Sequence, residues 1–524
     1  MSINNSSGNA DFGILTANDT SITSIIGQIY SADNFAKAGD AVVHLLSQYL
    51  KNAQGRSGPV LAIKPPLENV AEAREALLNT PPVDPGDMEA ITSRASALIG
   101  QFLANTQTVH HPGYIGHQLP PPLPMASLFE LAADVANQGM AIYELGPWAT
   151  AVEKVMVERL GVQLGFKPST FSGLVTSGGT LANLTALLSA RNKALDGVWK
   201  EGLPHHKTSP VIIAHRESHY SIERAAGILG IGSNQCLYVK SDSNGRTDPD
   251  ALAELLQVLK ARQIPIIAVV ASACATKTGS FDSLPRIADL CEAHDVWLHV
   301  DAAHGGAVSF SPDHRHLLEG IDRADSVVWD AHKMLFVPTL STYLFYRRSR
   351  DKYFAFSQDA RYLFAEGADE GHEYDCGLAT AECTKRAAAL SLWGILSIYG
   401  DGLFETLIKR IFETTSLFVE SLSAVDEIEI PIRPEFNIVL FRYIPRDKSV
   451  DLNDFNKSLR KFIIDENNIY LTTTIYNEAV YLRFVVMNPR TDQVDVENLM
   501  ENIRRHASRY EAIASLAPEV ALQT

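Results

Sequence analysis

Between about residues 125 and 400 the chain alternates two hydrophobic rhythms. Short apolar runs at 211–214, 264–271, 296–300, 326–329 and 342–346 are too brief for helices and rich in β-branched and aromatic residues, so each reads as a buried strand. Stretches between them carry apolar residues at helical spacing, 181–195 being one. Strands separated by helices need crossover connections and therefore pair in parallel. The pattern predicts an α/β domain with a three-layer arrangement around a mostly parallel sheet.

Both ends read differently. The first twenty-odd residues are small and polar, with little to bury, which predicts a disordered arm or one ordered by a partner subunit. Helical spacing follows at 33–50 and 88–103, with the breaker Pro81-Pro82-Val83-Asp84-Pro85-Gly86 between them. After residue 400, strands at 436–443, 469–475 and 480–486 and an amphipathic helix at 494–506 predict a small α+β domain. The expected organisation is 1–110 as an N-terminal arm and helical segment, 111–400 as the large domain and 401–524 as the small one.

Composition narrows the partners. A formal net charge of −16 over 524 residues, with no Lys/Arg cluster, argues against nucleic acid or an anionic membrane. Five cysteines without a CxxC pair suit a reducing cytosol better than a disulfide framework, so a cytoplasmic location is expected. The start MSINNSSGNADFG lacks a basic segment followed by an apolar one, and no uncharged apolar run reaches the ~18 residues of a membrane span.

The chemistry gathers in four segments. Lys333 lies in Trp329-Asp330-Ala331-His332-Lys333-Met334, and Asp301 follows the strand-like run Trp297-Leu298-His299-Val300. A lysine amine and a strand-end carboxylate are the two protein groups that pyridoxal phosphate most needs, one to anchor its aldehyde and one to pair with its ring nitrogen. Gly178, Gly179 and Thr180 open a helical stretch and form a seat for a phosphate, since backbone N–H groups at a helix start face an anion. His219, after the run 210–214, offers a flat imidazole to stack on the ring. No HExxH or paired Cys/His spacing supports a metal, so none is expected.

The segments TSGGTLANLTALLSARN (176–192), HYSIERA (219–225), ATKTGSFD (275–282), HVDAAHGGA (299–307), DAHKML (330–335), TKRAAALSLW (384–393) and YLRFVVMNPRTD (481–492) together resemble the group II pyridoxal phosphate-dependent amino-acid decarboxylases. That family includes glutamate, cysteine-sulfinate, diaminobutyrate and aromatic amino-acid enzymes. The resemblance runs from about His110 into the C-terminal region and implies a fold-type I enzyme releasing CO2 from an L-amino acid. It also implies a homodimer, with the active site at the subunit interface and the N-terminal helices packed on the other protomer.

By the same resemblance Ala303 supports the ring face opposite His219, His332 donates to the phosphate, and Thr276 sits near the phenolic oxygen or the substrate carboxylate. Tyr362, in the Gln/Asp/Gly/Glu-rich stretch 354–374, matches the loop tyrosine that returns a proton to Cα. Arg386 is expected to pair with that loop or the substrate. Two departures stand out. Cys274-Ala275 replaces a Gly-Thr pair, and Asp330 stands where many members carry asparagine. A carboxylate repelled by the phosphate should turn to backbone N–H groups or titrate high. A lysine in an imine is neutral or shares a proton with the cofactor, so an apolar, partly dry pocket should suit Lys333 in that form better than it suits an ammonium.

The same resemblance implies that His110, His111, Tyr114, His117 and the segment 143–148 line the substrate pocket. Their histidines and Glu144 lean the choice toward a diamino acid such as 2,4-diaminobutyrate or lysine, ahead of glutamate or an aromatic amino acid. The alternatives are another fold-type I enzyme (aldehyde-forming oxidative decarboxylase, aminotransferase or desulfurase) and a cofactor-binding protein without turnover. A hydrolase or nucleotide enzyme ranks last, since GxSxG, a P-loop and GxGxxG after a strand are all missing.

Overall fold

The computed structural model describes residues 19–203, 209–356 and 374–520. Residues 1–18, most of the expected arm, lie outside the described residues, as does 357–373 with Tyr362. By its contacts the chain divides into two units, Met1–Thr108 and Val109–Thr524.

The first unit is helical. Ala32–Gln54 and Met88–Ala104 pack on each other, their starts capped by Ser31, which accepts from the Asn34 N–H, and by Asp87, which accepts from the Ala90 N–H. The sequence reading missed the helix Pro66–Arg74, whose Leu-Glu-Asn-Val-Ala run has only a faint apolar stripe. Among the described residues, Ala53 and Val60 are the buried apolar side chains of this unit, while Ile26, Tyr30, Phe35, Leu67, Leu77 and Phe102 stay exposed. So much uncovered apolar surface gives the unit little core of its own.

The second unit is built on seven strands: β1 (Ser172–Thr176), β2 (Val211–His215), β3 (Cys236–Val239), β4 (Ile266–Ser272), β5 (Trp297–Asp301), β6 (Ser326–Asp330) and β7 (Thr342–Tyr346). Their order is β1-β7-β6-β5-β4-β2-β3, with β7 antiparallel to both neighbours and the other pairs parallel. Side-chain alternation along the strands divides the interior in two. Val269, Ala271, Leu298, Val300, Val327 and Trp329 face the helices Pro147–Gln163, Pro249–Ala261 and Leu284–His294. Ala268, Val270, Val328 and Leu344 face Gly179–Ala194 and Ser221–Ile228. Helices on both faces explain why these runs are apolar throughout rather than alternating. The expected fold class is borne out.

A second, antiparallel sheet follows, in the order β10-β11-β9-β8, from β8 (Ile428–Glu429), β9 (Ile438–Tyr443), β10 (Thr472–Tyr476) and β11 (Ala479–Val485). Asn477 and Glu478 join β10 to β11 with φ of 47° and 65°, as a two-residue hairpin turn requires. Its residues share one continuous core with one face of the large sheet. No helix among the described residues is long and apolar enough to cross a membrane.

One buried ion pair holds the end of β1. Lys385 Nζ lies 2.6 Å from Glu153 Oε1 and donates to the Val175 carbonyl at 2.7 Å, while the Val175 N–H donates to the same Glu153 oxygen at 3.1 Å. Removing one partner leaves a buried charge uncompensated. Lys385→Met should therefore cost about 3–5 kcal/mol in urea unfolding of the ligand-free protein. The double change with Glu153→Gln should recover most of that. A loss below ~1 kcal/mol for the single variant would mean that the pair contributes no more than a surface one.

Candidate active site

In a parallel sheet the strands end on a common edge, and ligands gather there. Asp301 is the last residue of β5 and Asp330 the last of neighbouring β6, with Lys333 one turn further. β1 ends at Thr176 and runs through Ser177 and Gly178 into the helix Gly179–Ala194. Gly178 has φ of +117°, a conformation closed to other residues. A Cβ on Gly179 would meet both Asp330 carboxylate oxygens at 3.1 Å. No side chain caps this helix, so its first N–H groups remain available to an anion.

Gly178, Gly179, Thr180, His219, Thr276, Asp301, Ala303, His332 and Lys333 all line one cleft of about 430 Å³. Two carboxylates meet the lysine there. Lys333 Nζ is 3.0 Å from Asp330 Oδ2, and Thr342 Oγ1 donates to the other Asp330 oxygen at 2.5 Å. Burial works against charge on Lys333, yet Asp330 and then Asp301 outweigh it and raise its pKa. Burial likewise pushes Asp330 up, but Lys333, His332 and Thr342 pull it below the usual carboxylate range. The expectation for Asp330 is corrected: it turns to Lys333 and Thr342 rather than to backbone N–H groups, and it titrates low rather than high, while the free Lys333 amine is favoured as an ammonium. What the sequence reading left out was the pairing of the two, three residues apart.

The Ala303 N–H donates to Asp301 Oδ1 at 3.1 Å, and Asn183 Nδ2 to Oδ2 at 2.9 Å. Burial lowers the pKa of His219, with Asp301 opposing and Lys333 adding to the shift. His332 binds the Ser341 carbonyl through Nδ1 at 3.0 Å and places Nε2 3.6 Å from Asp330. The Thr276 carbonyl accepts from Arg483 Nη2 at 2.6 Å.

Other expected residues lie elsewhere. His110, His111, Tyr114, His117 and 143–148 are not part of the cleft wall in the single chain. Tyr114 stacks on Tyr470, and His117 Nε2 is 3.0 Å from the Tyr470 hydroxyl. Arg386 pairs with Asp134 and Glu130 on the helix Pro124–Ala136, not with the cleft. Tyr362 lies outside the described residues, and no step is assigned to it. Three residues escaped the sequence reading: Asn183, His304 and Arg483. All three sit inside the segments that carry the family resemblance, where no role of their own was read for them.

An amine, a strand-end carboxylate, a flat imidazole and an uncapped glycine turn in one cleft fit pyridoxal phosphate, and they define an α/β scaffold built to bind it. The pyridoxal-dependent decarboxylase conserved domain matches residues 74–444, and the chain belongs to that family, with pyridoxal phosphate as its cofactor. L-2,4-diaminobutyrate decarboxylase of Rhizobium meliloti (strain 1021) is 32% identical over 427 residues, covering 81% of this chain and 84% of that protein. Cysteine sulfinic acid decarboxylase of Rattus norvegicus is 29% identical, covering 73% and 79% respectively. Among solved structures, the glutamate decarboxylase domain of diaminobutyrate-pyruvate transaminase and L-2,4-diaminobutyrate decarboxylase from Vibrio parahaemolyticus superposes with a TM-score of 0.77 at 26% identity, covering 91% of this chain and 96% of that one.

The Lys333–Asp330 pair has a kinetic consequence. Capture of an aldehyde needs a free amine, so a raised lysine pKa moves the rising limb of the capture rate to higher pH. Asp330→Asn removes the largest raising partner and should move that limb to lower pH, with faster capture near neutrality. Stopped-flow absorbance of pyridoxal phosphate mixed with ligand-free protein reads this directly. A limb that stays put, or rises in pH, would show that Asp330 does not control the amine.

Proposed function

We propose that this chain is a pyridoxal phosphate-dependent L-amino-acid decarboxylase acting as a homodimer on a diamino acid, 2,4-diaminobutyrate first and lysine second. The observation that carries the reaction is the meeting of Lys333 and Asp301 on adjacent strand ends beside an open helix start. When bound, pyridoxal phosphate supplies an electron sink for the pair left on Cα as CO2 departs.

The chain's own groups do the rest. Lys333 would hold the aldehyde. Gly178, Gly179, Thr180 and His332 would hold the phosphate, and Asp301 would hold the ring-nitrogen proton. His219 and Ala303 would flank the ring, while Thr276 would contact its phenolic oxygen or the substrate carboxylate. Cys274 and Ala303 in the cleft wall are buried, and a drier wall weakens solvation of the departing carboxylate and favours neutral CO2. Arg483 is 7% exposed and donates to the carbonyls of Thr276 and Gly116. Among the described residues it has no carboxylate partner, and an amino acid entering beside Thr276 would bring one.

For the substrate, support comes from the named activity of the Rhizobium meliloti relative. A second reading, an acidic amino acid, is favoured by the named activity of the Rattus norvegicus relative. For the dimer, support comes from Tyr143, Leu145 and Trp148, which are 47%, 53% and 62% exposed in the very segment expected to line a substrate pocket. Exposed aromatic surface of this kind marks an interface. Five free cysteines suit a cytoplasmic setting.

A CO2-release screen of common and diamino acids with added cofactor tests the proposal, with products identified by mass spectrometry. Diaminobutyrate should be fastest and yield the amine. Preference for glutamate or cysteine sulfinate would select the second reading, and carbonyl products without amine would reject simple decarboxylation. Lys333→Ala should abolish the visible band and turnover. Asp301→Asn should retain some cofactor and lose activity by about a hundredfold or more.

A further inference from the structure

Asn183 sits one turn into the helix Gly179–Ala194 and is 1% exposed. Its Nδ2 is 2.9 Å from Asp301 Oδ2 and 3.0 Å from Ser221 Oγ, and its Oδ1 is 2.9 Å from His299 Nε2. A carboxylate only accepts, so the amide must turn its NH2 toward Asp301 and its carbonyl toward His299. His299 therefore carries its proton on Nε2. Its Nδ1 accepts from Ser326 Oγ at 2.8 Å, and that hydroxyl in turn accepts from Trp297 Nε1 at 2.8 Å. Burial pushes His299 down to about 4, so the ring is neutral at physiological pH and this donor order holds.

The second branch follows by the same logic. Ser221 Oγ accepts from Asn183 and is left with its own proton, which goes to His219 Nδ1 at 2.7 Å. The Ser221 N–H points at the same nitrogen from 3.3 Å. With two donors facing it, Nδ1 is an acceptor and the His219 proton sits on Nε2. Every polar atom of Asn183 is used, and only one sense of donation satisfies the whole set.

We propose that Asn183 is a positioning residue which couples the orientation of Asp301 to the tautomer of His219, so that one amide sets both groups that face the cofactor. This rests on the roles given above to Asp301 and His219. Asn183→Asp is nearly isosteric and keeps the acceptor for His299, but it sets an oxygen against Asp301 where a donor stood. The Ser221 hydroxyl would then turn to the new carboxylate and release His219 Nδ1. Ser221→Ala cuts the His219 branch alone.

The experiment is equilibrium titration of ligand-free protein with pyridoxal phosphate, followed by the pH dependence of the bound visible band, for Asn183→Asp, Asn183→Ala and Ser221→Ala. Urea unfolding of each ligand-free variant runs beside it. Both Asn183 variants should bind the cofactor about tenfold more weakly or worse, as expected for a lost hydrogen bond to a charged group, and should shift the pH midpoint of the band. Ser221→Ala should shift the midpoint while leaving affinity close to that of the parent. A parent-like midpoint in Asn183→Asp overturns the proposal, as does an affinity loss that only tracks lost fold stability. If Asn183→Ala does not fold, the other two variants decide. Failure of the underlying cofactor reading looks different: the parent would show no visible band, or Lys333→Ala would keep it.

Discussion

An ammonium and a carboxylate 3.0 Å apart at the end of β6 set the terms for the site. A buried charge costs several kcal/mol unless it is paired and hydrogen-bonded. Asp330 meets the lysine directly, Thr342 satisfies the other Asp330 oxygen, and Asp301 adds its field from the next strand. The glycine turn belongs to the same solution, since a Cβ on Gly179 would press on the Asp330 carboxylate. The site is therefore charged and compensated before any cofactor arrives.

Such a balance needs rigid walls. Strand alternation supplies them by dividing the large sheet's side chains between two cores, so that each strand end is fixed from both faces. Polar groups are as constrained as apolar ones. Trp297, Ser326, His299, Asn183 and Asp301 form one unbroken line of donors and acceptors through the sheet, and the Glu153–Lys385 pair fixes β1 just before the turn. A buried network in which each member is satisfied resists rearrangement more than its separate bonds suggest.

Much of this was legible in the sequence. The parallel strands β2, β4, β5 and β6 could be read because burial on both faces leaves continuous apolar runs, whereas the short edge strand β3 was missed, and the helix after Gly179 could be read because its apolar spacing is long. β1 escaped because Ser172-Gly173-Leu174-Val175-Thr176 offers two large apolar residues, and its strand character comes from pairing with the distant β7, where Tyr346 stands opposite Ser172. Lys333, Asp301 and the glycine turn could be read because their chemistry is unusual for their positions. Asn183 could not: within Leu181-Ala182-Asn183-Leu184 it looks like any helix residue, and its importance appears only where three elements converge. Asp330 was misjudged because an absent phosphate was weighed and the lysine three residues on was not.

Arg483 shows why the substrate is harder to read than the reaction. The groups proposed to anchor the cofactor come from the ends of β5 and β6 and from the turn after β1, all in one sheet. The guanidinium comes from β11 in the other sheet, and it reaches the cleft wall through the Thr276 carbonyl, 207 residues earlier in the chain. Burial lowers its pKa to about 10, yet it stays a cation at neutral pH with carbonyl acceptors alone among the described residues. A buried cation so placed is stabilised most by an anion that arrives with the ligand. Every α-amino acid carries such an anion, so Arg483 favours the class of substrate without choosing its side chain.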